Sequence, residues 1–111
     1  MSVEWQNLSK NKMAIALWEG IGPSEDGVPL DAGASSSVAG CIQFSGTFGA
    51  GTVSFQHSND GVTWYSVADL LGTTIDATAV GIYNFSTAAR YLRVLADANV
   101  TNVDALLVLR G

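Results

Sequence analysis

The segment from residue 51 to residue 67 constrains the fold most, because it contains two alternating stretches separated by a turn sequence. In the first stretch Val53 and Phe55 alternate with polar neighbours, which is the period of a half-buried strand and not of a helix. Asp60 can bond its own backbone, and Gly61 adopts positive φ without steric cost. The sequence therefore predicts an antiparallel hairpin in the middle of the chain.

The same short apolar or alternating stretches recur along most of the chain, and no segment shows a helical stripe. They occupy residues 13–18, 37–47, 73–78, 81–86, 90–96 and 103–110. We therefore expect an all-β fold, a single β-sandwich of seven to eight short antiparallel strands. Connections of mixed length favour a jelly-roll or Greek-key topology over a meander. Gly40 and Gly46 predict a bulge or a close backbone approach in their strand.

Two segments depart from this regular pattern and are candidate contact regions. Residues 1–11 have no clear period and are expected to form an N-terminal arm, followed by a sandwich domain over residues 12–111. Residues 20–34 contain four glycines and both prolines, and a loop of this length usually has a function or binds a partner. The candidate interface residues in these two segments are Trp5, Leu8, Glu25, Asp26 and Asp31.

The chain is poor in charge, with 14% charged residues against 48% hydrophobic residues, whereas soluble domains have about 25% charged residues. Residues 32–59 contain no Asp, Glu, Lys or Arg. Two explanations fit this composition. The chain associates with copies of itself or with a larger assembly, or it has a polar surface rich in Gly, Ser and Thr. The net charge of −5 and only five cations argue against nucleic acid as a partner.

Cys41 is the only cysteine, so no internal disulfide is expected, and its apolar neighbours predict a small buried hydrophobe. The N-terminal residues lack the apolar region of a cleavable signal, and the apolar run 13–18 is far too short to span a membrane. We therefore expect synthesis in a cytoplasm and no membrane partner.

The sequence shows no catalytic constellation. His57 is the only histidine and is expected to be a hydrogen-bonded residue at the end of a strand, because a triad or zinc site needs more partners than this chain offers. Glu25, Asp26 and Asp31 match no calcium-binding spacing. The expectation is a protein that is not an enzyme and that uses no cofactor or metal.

The motif from Ser58 to Trp64, Ser-Asn-Asp-Gly-Val-Thr-Trp, is followed by Arg-Tyr-Leu-Arg-Val at residues 90–94. This pair resembles a pattern in small β-sandwich virion proteins of tailed bacteriophages, many of which are head decoration (cement) proteins. It is also similar to a pattern in discoidin-like (factor 5/8 C-type) sugar- and surface-binding domains. Those domains are usually longer and often contain a cysteine pair, so the phage class fits this chain better.

The resemblance covers about residues 44–110 and implies structural roles for the motif residues. It places Asp60 and Gly61 in the turn, Trp64 in the core, and Arg90 and Arg93 on a strand whose charges pair with acids. The remaining motif residues are Asn59 and Tyr91.

The resemblance implies a non-enzymatic virion protein, most directly a capsid decoration protein made in the cytoplasm of a bacterial host. Such a protein binds over junctions between subunits of the major capsid protein, here as a homo-oligomer, with a homotrimer expected. The acidic balance suits the capsid exterior. The alternative is a carbohydrate- or surface-binding module, for example in a phage tail, because exposed aromatic rings stack on sugar faces.

Overall fold

The computed structural model describes residues 2–8, 13–32 and 38–110, and for residues 2–8, 13, 14, 38 and 110 it describes the backbone alone. These described residues form ten strands: β1 Ser2–Leu8, β2 Met13–Ile21, β3 Leu30–Asp31, β4 Val38–Thr47, β5 Val53–Ser58, β6 Tyr65–Ser66, β7 Asp76–Ala77, β8 Gly81–Thr87, β9 Tyr91–Ala96 and β10 Asn102–Arg110. Strands β3, β6 and β7 have two residues each. The predicted all-β fold is confirmed.

The strands form two sheets, with the order β1-β2-β10-β4-β8 in the first sheet and β3-β9-β5-β6 in the second, where β7 also pairs with β5. The pairs are nested along the chain: β2 with β10, β3 with β9, β4 with β8, and β5 with β7, all antiparallel. A long hairpin that is rolled up in this way, with successive pairs in alternate sheets, is a jelly roll. The predicted β-sandwich is therefore present with the jelly-roll topology.

The core lies between the two sheets and follows the predicted alternation. In β10 every second side chain from Val103 to Leu109 is buried, and in β9 Leu92, Val94 and Ala96 are buried. Rings of Phe55 and Phe85 from opposite sheets meet edge to face with centroids 4.9 Å apart. Full burial of a large apolar side chain contributes about 1.5–3 kcal/mol, so these rows hold the sheets together.

The predicted loop between β2 and β4 lies against the second sheet. Fully buried Trp18 donates its indole N–H to the carbonyl oxygen of Val28 at 2.9 Å, and the amide of Gly27 donates to the carbonyl oxygen of Val94. The loop ends in β3, where Leu30 pairs with Leu92. These bonds make the loop part of the sandwich.

Residues 2–8, part of the expected N-terminal arm, belong to the first sheet. They form β1, which pairs antiparallel with β2 over its full length, with Trp5 opposite Ala16 and Leu8 opposite Met13. The pairing arises because an adjacent strand satisfies backbone hydrogen bonds even where the side-chain pattern is weak. Residues 1 and 9–11 of the predicted arm, and the side chains of Trp5 and Leu8, lie outside the described part of the chain.

The central hairpin is confirmed, but its return strand is much shorter than the alternation of residues 62–67 predicts. His57 pairs with Tyr65, and β6 contains two residues. Val62 is 81% exposed in the connection. The pattern was misleading here because the connecting residues bond to one another instead of continuing the ladder, as described below.

The close backbone approach predicted at the two glycines of β4 is observed. A Cβ added at Gly40 would collide with the carbonyl oxygen of Val108 on β10, and Gly46 has a φ of 108°. The irregularity in register lies elsewhere, between Val103 and Ala105 where β10 pairs with β2.

Replacement of Gly40 by Ala is expected to destabilise the fold, because the added methyl group meets backbone that cannot move without breaking the β4–β10 ladder. Overpacking of this kind costs about 1–3 kcal/mol or more. Gly81→Ala on the neighbouring strand is the control, since its Cβ would lie 3.9 Å from the Tyr83 ring, and its effect is expected to stay within about 0.5 kcal/mol. Denaturant unfolding of both variants measures the difference. Equal stability of the two variants would contradict the close approach at Gly40.

Candidate functional site

The motif loop, residues 58–64, is closed by its own hydrogen bonds. One carboxylate oxygen of Asp60 accepts the amide N–H groups of Val62 and Thr63 and the hydroxyl of Ser58, each at 2.9 Å. The amide of Gly61, which has a φ of 74°, donates to the Ser58 hydroxyl oxygen. The bonds from Thr63, Val62 and Ser58 lower the pKa of Asp60, because each favours the ionised carboxylate. These bonds end β5 and shape the turn.

Strand β9 holds the motif loop from the other side. The amide of Arg90 donates to the side-chain oxygen of Asn59 at 3.3 Å. The ring of Tyr91 lies beside Gly61, where an added Cβ would be 3.6 Å from a ring carbon. The two halves of the sequence motif are therefore neighbours in space.

The resemblance implied that Trp64 lies in the core, but the structure places it on the outer face of the second sheet. Its side chain is half-buried, and the guanidinium carbon of Arg93 lies 4.3 Å from the ring centroid. Arg93 also donates from Nε to the side-chain oxygen of Gln56 at 2.9 Å. Trp64 is in this position because the loop brings it past the end of the short β6 ladder, where the planar guanidinium covers its ring.

The acids predicted as interface residues contact this chain itself. Asp31 accepts two hydrogen bonds from the Arg90 guanidinium, at 3.2 and 3.1 Å, and these bonds and the charge of Asp31 raise the pKa of Arg90. Asp26 lies 3.8 Å from Arg93. Glu25 accepts the amide of Gly22 at 2.9 Å. The three acids are thus distributed along the second sheet and do not converge on one point.

A cleft of about 660 Å³ opens between the motif loop and the β8–β9 connection. Tyr65, which is 66% exposed, contributes the aromatic part of its wall. The lining residues are His57, Ser58, Asn59, Asp60, Thr63, Tyr65, Ser86, Thr87, Ala88 and Ala89. An exposed ring beside several hydrogen-bonding groups is the combination that binds polar ligands with apolar faces, such as sugars.

His57 closes the inner end of this cleft. Its Nδ1 lies 2.8 Å from the hydroxyl oxygen of Thr87, which also accepts the amide of Ala89 at 3.1 Å. The pair joins β5 of the second sheet to β8 of the first sheet. Burial lowers the pKa of His57. His57 is a bonded strand-end residue, as predicted. Its partner Thr87 was not among the predicted site residues, although the alternation from Phe85 indicates it as the next inward position of β8.

The arrangement of these groups suits binding through hydrogen bonds and ring contacts. The ring nitrogen Nδ1 of His57 is bonded to Thr87, and the Ser58 hydroxyl is bonded to Asp60. Within the described residues, no three His, Cys, Asp or Glu side chains are grouped so that they could hold a metal ion. No helix formed by these residues is long and apolar enough to cross a membrane.

No protein-family model matches the chain, and no curated protein matches it. Among solved structures, the fold is similar to that of the SPBc2 prophage-derived protein YomS, with a TM-score of 0.66. The match covers 87% of this chain and 93% of that chain at 8% sequence identity. At this identity the similarity shows a shared fold.

The partial burial of His57 predicts a decrease in stability on mild acidification. The folded state lowers the pKa of His57 below its ordinary value of 6.5, so the unfolded state binds the proton more readily. The free energy of unfolding is then highest above pH 6.5 and decreases as the pH falls from there towards the lower pKa of the folded state. Thermal unfolding between about pH 5 and 8 measures this slope, because carboxylates titrate mostly below that range.

The variant His57→Gln serves as the control for this measurement, since it retains a hydrogen-bonding side chain without a titrating group. It is expected to flatten the pH dependence in this window, and an unchanged slope would assign the effect to other groups.

Proposed function

We propose that this chain is a non-enzymatic structural protein of a tailed-phage virion, most directly a capsid decoration protein. The observation that carries the proposal is the jelly roll shared over most of both chains with a prophage-derived protein. The motif that resembles phage virion proteins supports it from a second direction. Its two halves form one contacting unit, in which Asn59 meets Arg90 just before β9, and Gly61 and Trp64 meet Tyr91 and Arg93 of β9.

A decoration protein works by contact. Copies that sit over junctions between capsid subunits add buried area, so that dissociation of the shell must break more interface at once. A compact sandwich with short connections suits this task because it presents rigid surfaces at little entropic cost. The net charge of −5 favours the capsid exterior over a site that faces packaged DNA.

The segments proposed to contact the shell or a neighbouring copy lie at sheet edges. Strand β1 is an edge of the first sheet, and β3 is an edge of the second sheet. An edge strand presents backbone N–H and C=O groups that can pair with another chain. Between β2 and β3, Val28 is 51% exposed. Trp5 and Leu8 on β1, and the acids of the β2–β3 loop, remain the proposed contact residues.

A second candidate function is binding of carbohydrate, and the cleft beside the motif loop favours it. The cleft combines the exposed ring of Tyr65 with the polar groups of Asn59 and Asp60. We propose a phage tail as the location for this second function, because a tail protein would contact sugars on the host surface.

Quantitative mass spectrometry of purified particles tests the decoration role. The expected result is hundreds of copies of this chain per particle, in a fixed ratio to the major capsid protein, because decoration follows the repeat of the shell. A handful of copies would assign the protein to the tail, and absence from particles would contradict a virion role.

The carbohydrate alternative predicts that immobilised glycans bind the protein and that Tyr65→Ala weakens this binding at least tenfold, or about 1.4 kcal/mol, through loss of ring stacking. Val62→Ala is the control, because Val62 is exposed on the motif loop but does not line the cleft. A glycan array followed by titration of any hit measures the effect. Binding that is the same in both variants, or no binding at all, would contradict the cleft as a sugar site.

A further inference from the structure

The outer face discussed below is the part of the first sheet's outer surface that is formed by side chains of β2, β10, β4 and β8 pointing away from the core. Strand β1, whose register places Glu4 beside Leu17, forms its rim. Strand register places these side chains in two adjacent rows across the four strands. One row is Leu17, Leu106, Gln43 and Ile82, and the other is Ile15, Val108, Cys41 and Asn84.

This outer face is apolar at its centre. Six of the eight side chains in the two rows are apolar and none is charged. Ile82 is 59% exposed, and the hydrophobic side chains of Leu106 and Val108 are only partly covered by their neighbours. Charged side chains begin at one end of the face, with Glu19 and Asp104, where Asp104 accepts the amide of Gly20 at 2.8 Å.

The outer face of the second sheet has the opposite character. Arg93 lies there between Trp64, Gln56 and Asp26, and Ser54 donates its hydroxyl to a carboxylate at 2.8 Å. Antiparallel sheets commonly keep such a polar face towards water. A contiguous apolar patch on the other side of the same small sandwich marks an interaction surface.

We infer that a second copy of this chain covers the outer face of the first sheet, in a face-to-face pair related by a two-fold axis. Two sheets stack about 10 Å apart when their facing side chains interdigitate, as the two sheets do within each copy. A shallow hollow of about 300 Å³ beside Val80 and Ile82 gives room for side chains of the partner at the rim.

The size of the face agrees with this occupant. Taken over the full length of the strands, including the charged end, four strands about 4.8 Å apart and about eight residues of 3.4 Å each present roughly 500 Å² of flat area per copy. Two copies then bury roughly 1,000 Å², which is the lower limit for a specific interface.

The distribution of charge gives the orientation of the pair. Each copy has a net charge of −5, so contact is favourable only where the facing surfaces are uncharged. Glu19 and Asp104 lie at one end of the face. A two-fold axis that runs across the strands brings this acidic end to the opposite end of the partner, so that like charges do not meet.

The decisive experiment places a charge in the middle of each outer face and measures mass by sedimentation velocity. Gln43→Glu alters the apolar face and Gln56→Glu alters the polar face, with the same change in shape and net charge. We expect the wild type and Gln56→Glu to be dimers and Gln43→Glu to dissociate at least tenfold more readily. Leu106→Glu is expected to be monomeric at concentrations where the wild type is paired.

The pairing replaces the homotrimer that the resemblance implied. A wild type that is monomeric, or trimeric as the resemblance implied, would overturn the pairing, and so would equal dimerisation of all variants. If Leu106→Glu loses the far-ultraviolet circular dichroism of a folded sheet, Gln43→Glu decides alone, because Gln43 is exposed in the single chain. The result is independent of the virion role, which the copy number in particles tests separately.

Cys41 provides a second readout. Its apolar neighbours predicted a buried residue, but it is partly exposed and lies on this face next to Val108. Its thiol is expected to react slowly with a disulfide reagent in the paired wild type and faster in folded, dissociated Gln43→Glu. Equal rates in the two proteins would contradict burial of this face in the pair.

Discussion

Strand pairing between distant parts of the chain is the constraint on which this structure depends. Strand β2, near the beginning, pairs with β10, at the end, and the nested pairs inside them connect progressively closer segments. The first sheet is complete only when strands from the two ends of the chain have paired. The entropic cost of closing these long loops therefore precedes most of the burial of apolar side chains. The core then compensates for it through contacts between the sheets, such as the Phe55–Phe85 ring pair.

The two sheets share one core but present very different outer faces. On the second sheet, Arg93 stacks on Trp64 and contacts Gln56 and Asp26. The charged group and the aromatic ring therefore have partners within the same chain. On the first sheet, the central side chains have apolar neighbours and no ionic partners in the part of the chain whose side chains are described. The low proportion of charged residues is therefore concentrated on one surface, the outer face of the first sheet.

The residues of the motif Ser58 to Trp64 are those that the turn after β5 requires. Asp60 accepts three hydrogen bonds on one carboxylate oxygen, Gly61 adopts the positive φ of the turn, and Asn59 accepts the amide of Arg90 just before β9. Removing the side chain of Asp60 or Asn59 would leave backbone amides without these partners. The polar cleft lies between this ordered motif loop and the β8–β9 connection. The motif loop therefore both ends β5 and forms one wall of the cleft.

The sequence by itself determined which side chains of β9 and β10 face the core, because alternation along a strand is a local property of the backbone. It also determined the central turn, where residue type reports backbone conformation. At Gly40 it left a bulge and a close backbone approach open, and the structure shows the close approach. Only the tertiary structure decided that residues 2–8 form a strand, that Trp64 lies beneath Arg93, and that His57 meets Thr87. Each of these depends on a partner remote in sequence, and a period of two does not say which strand lies next to which.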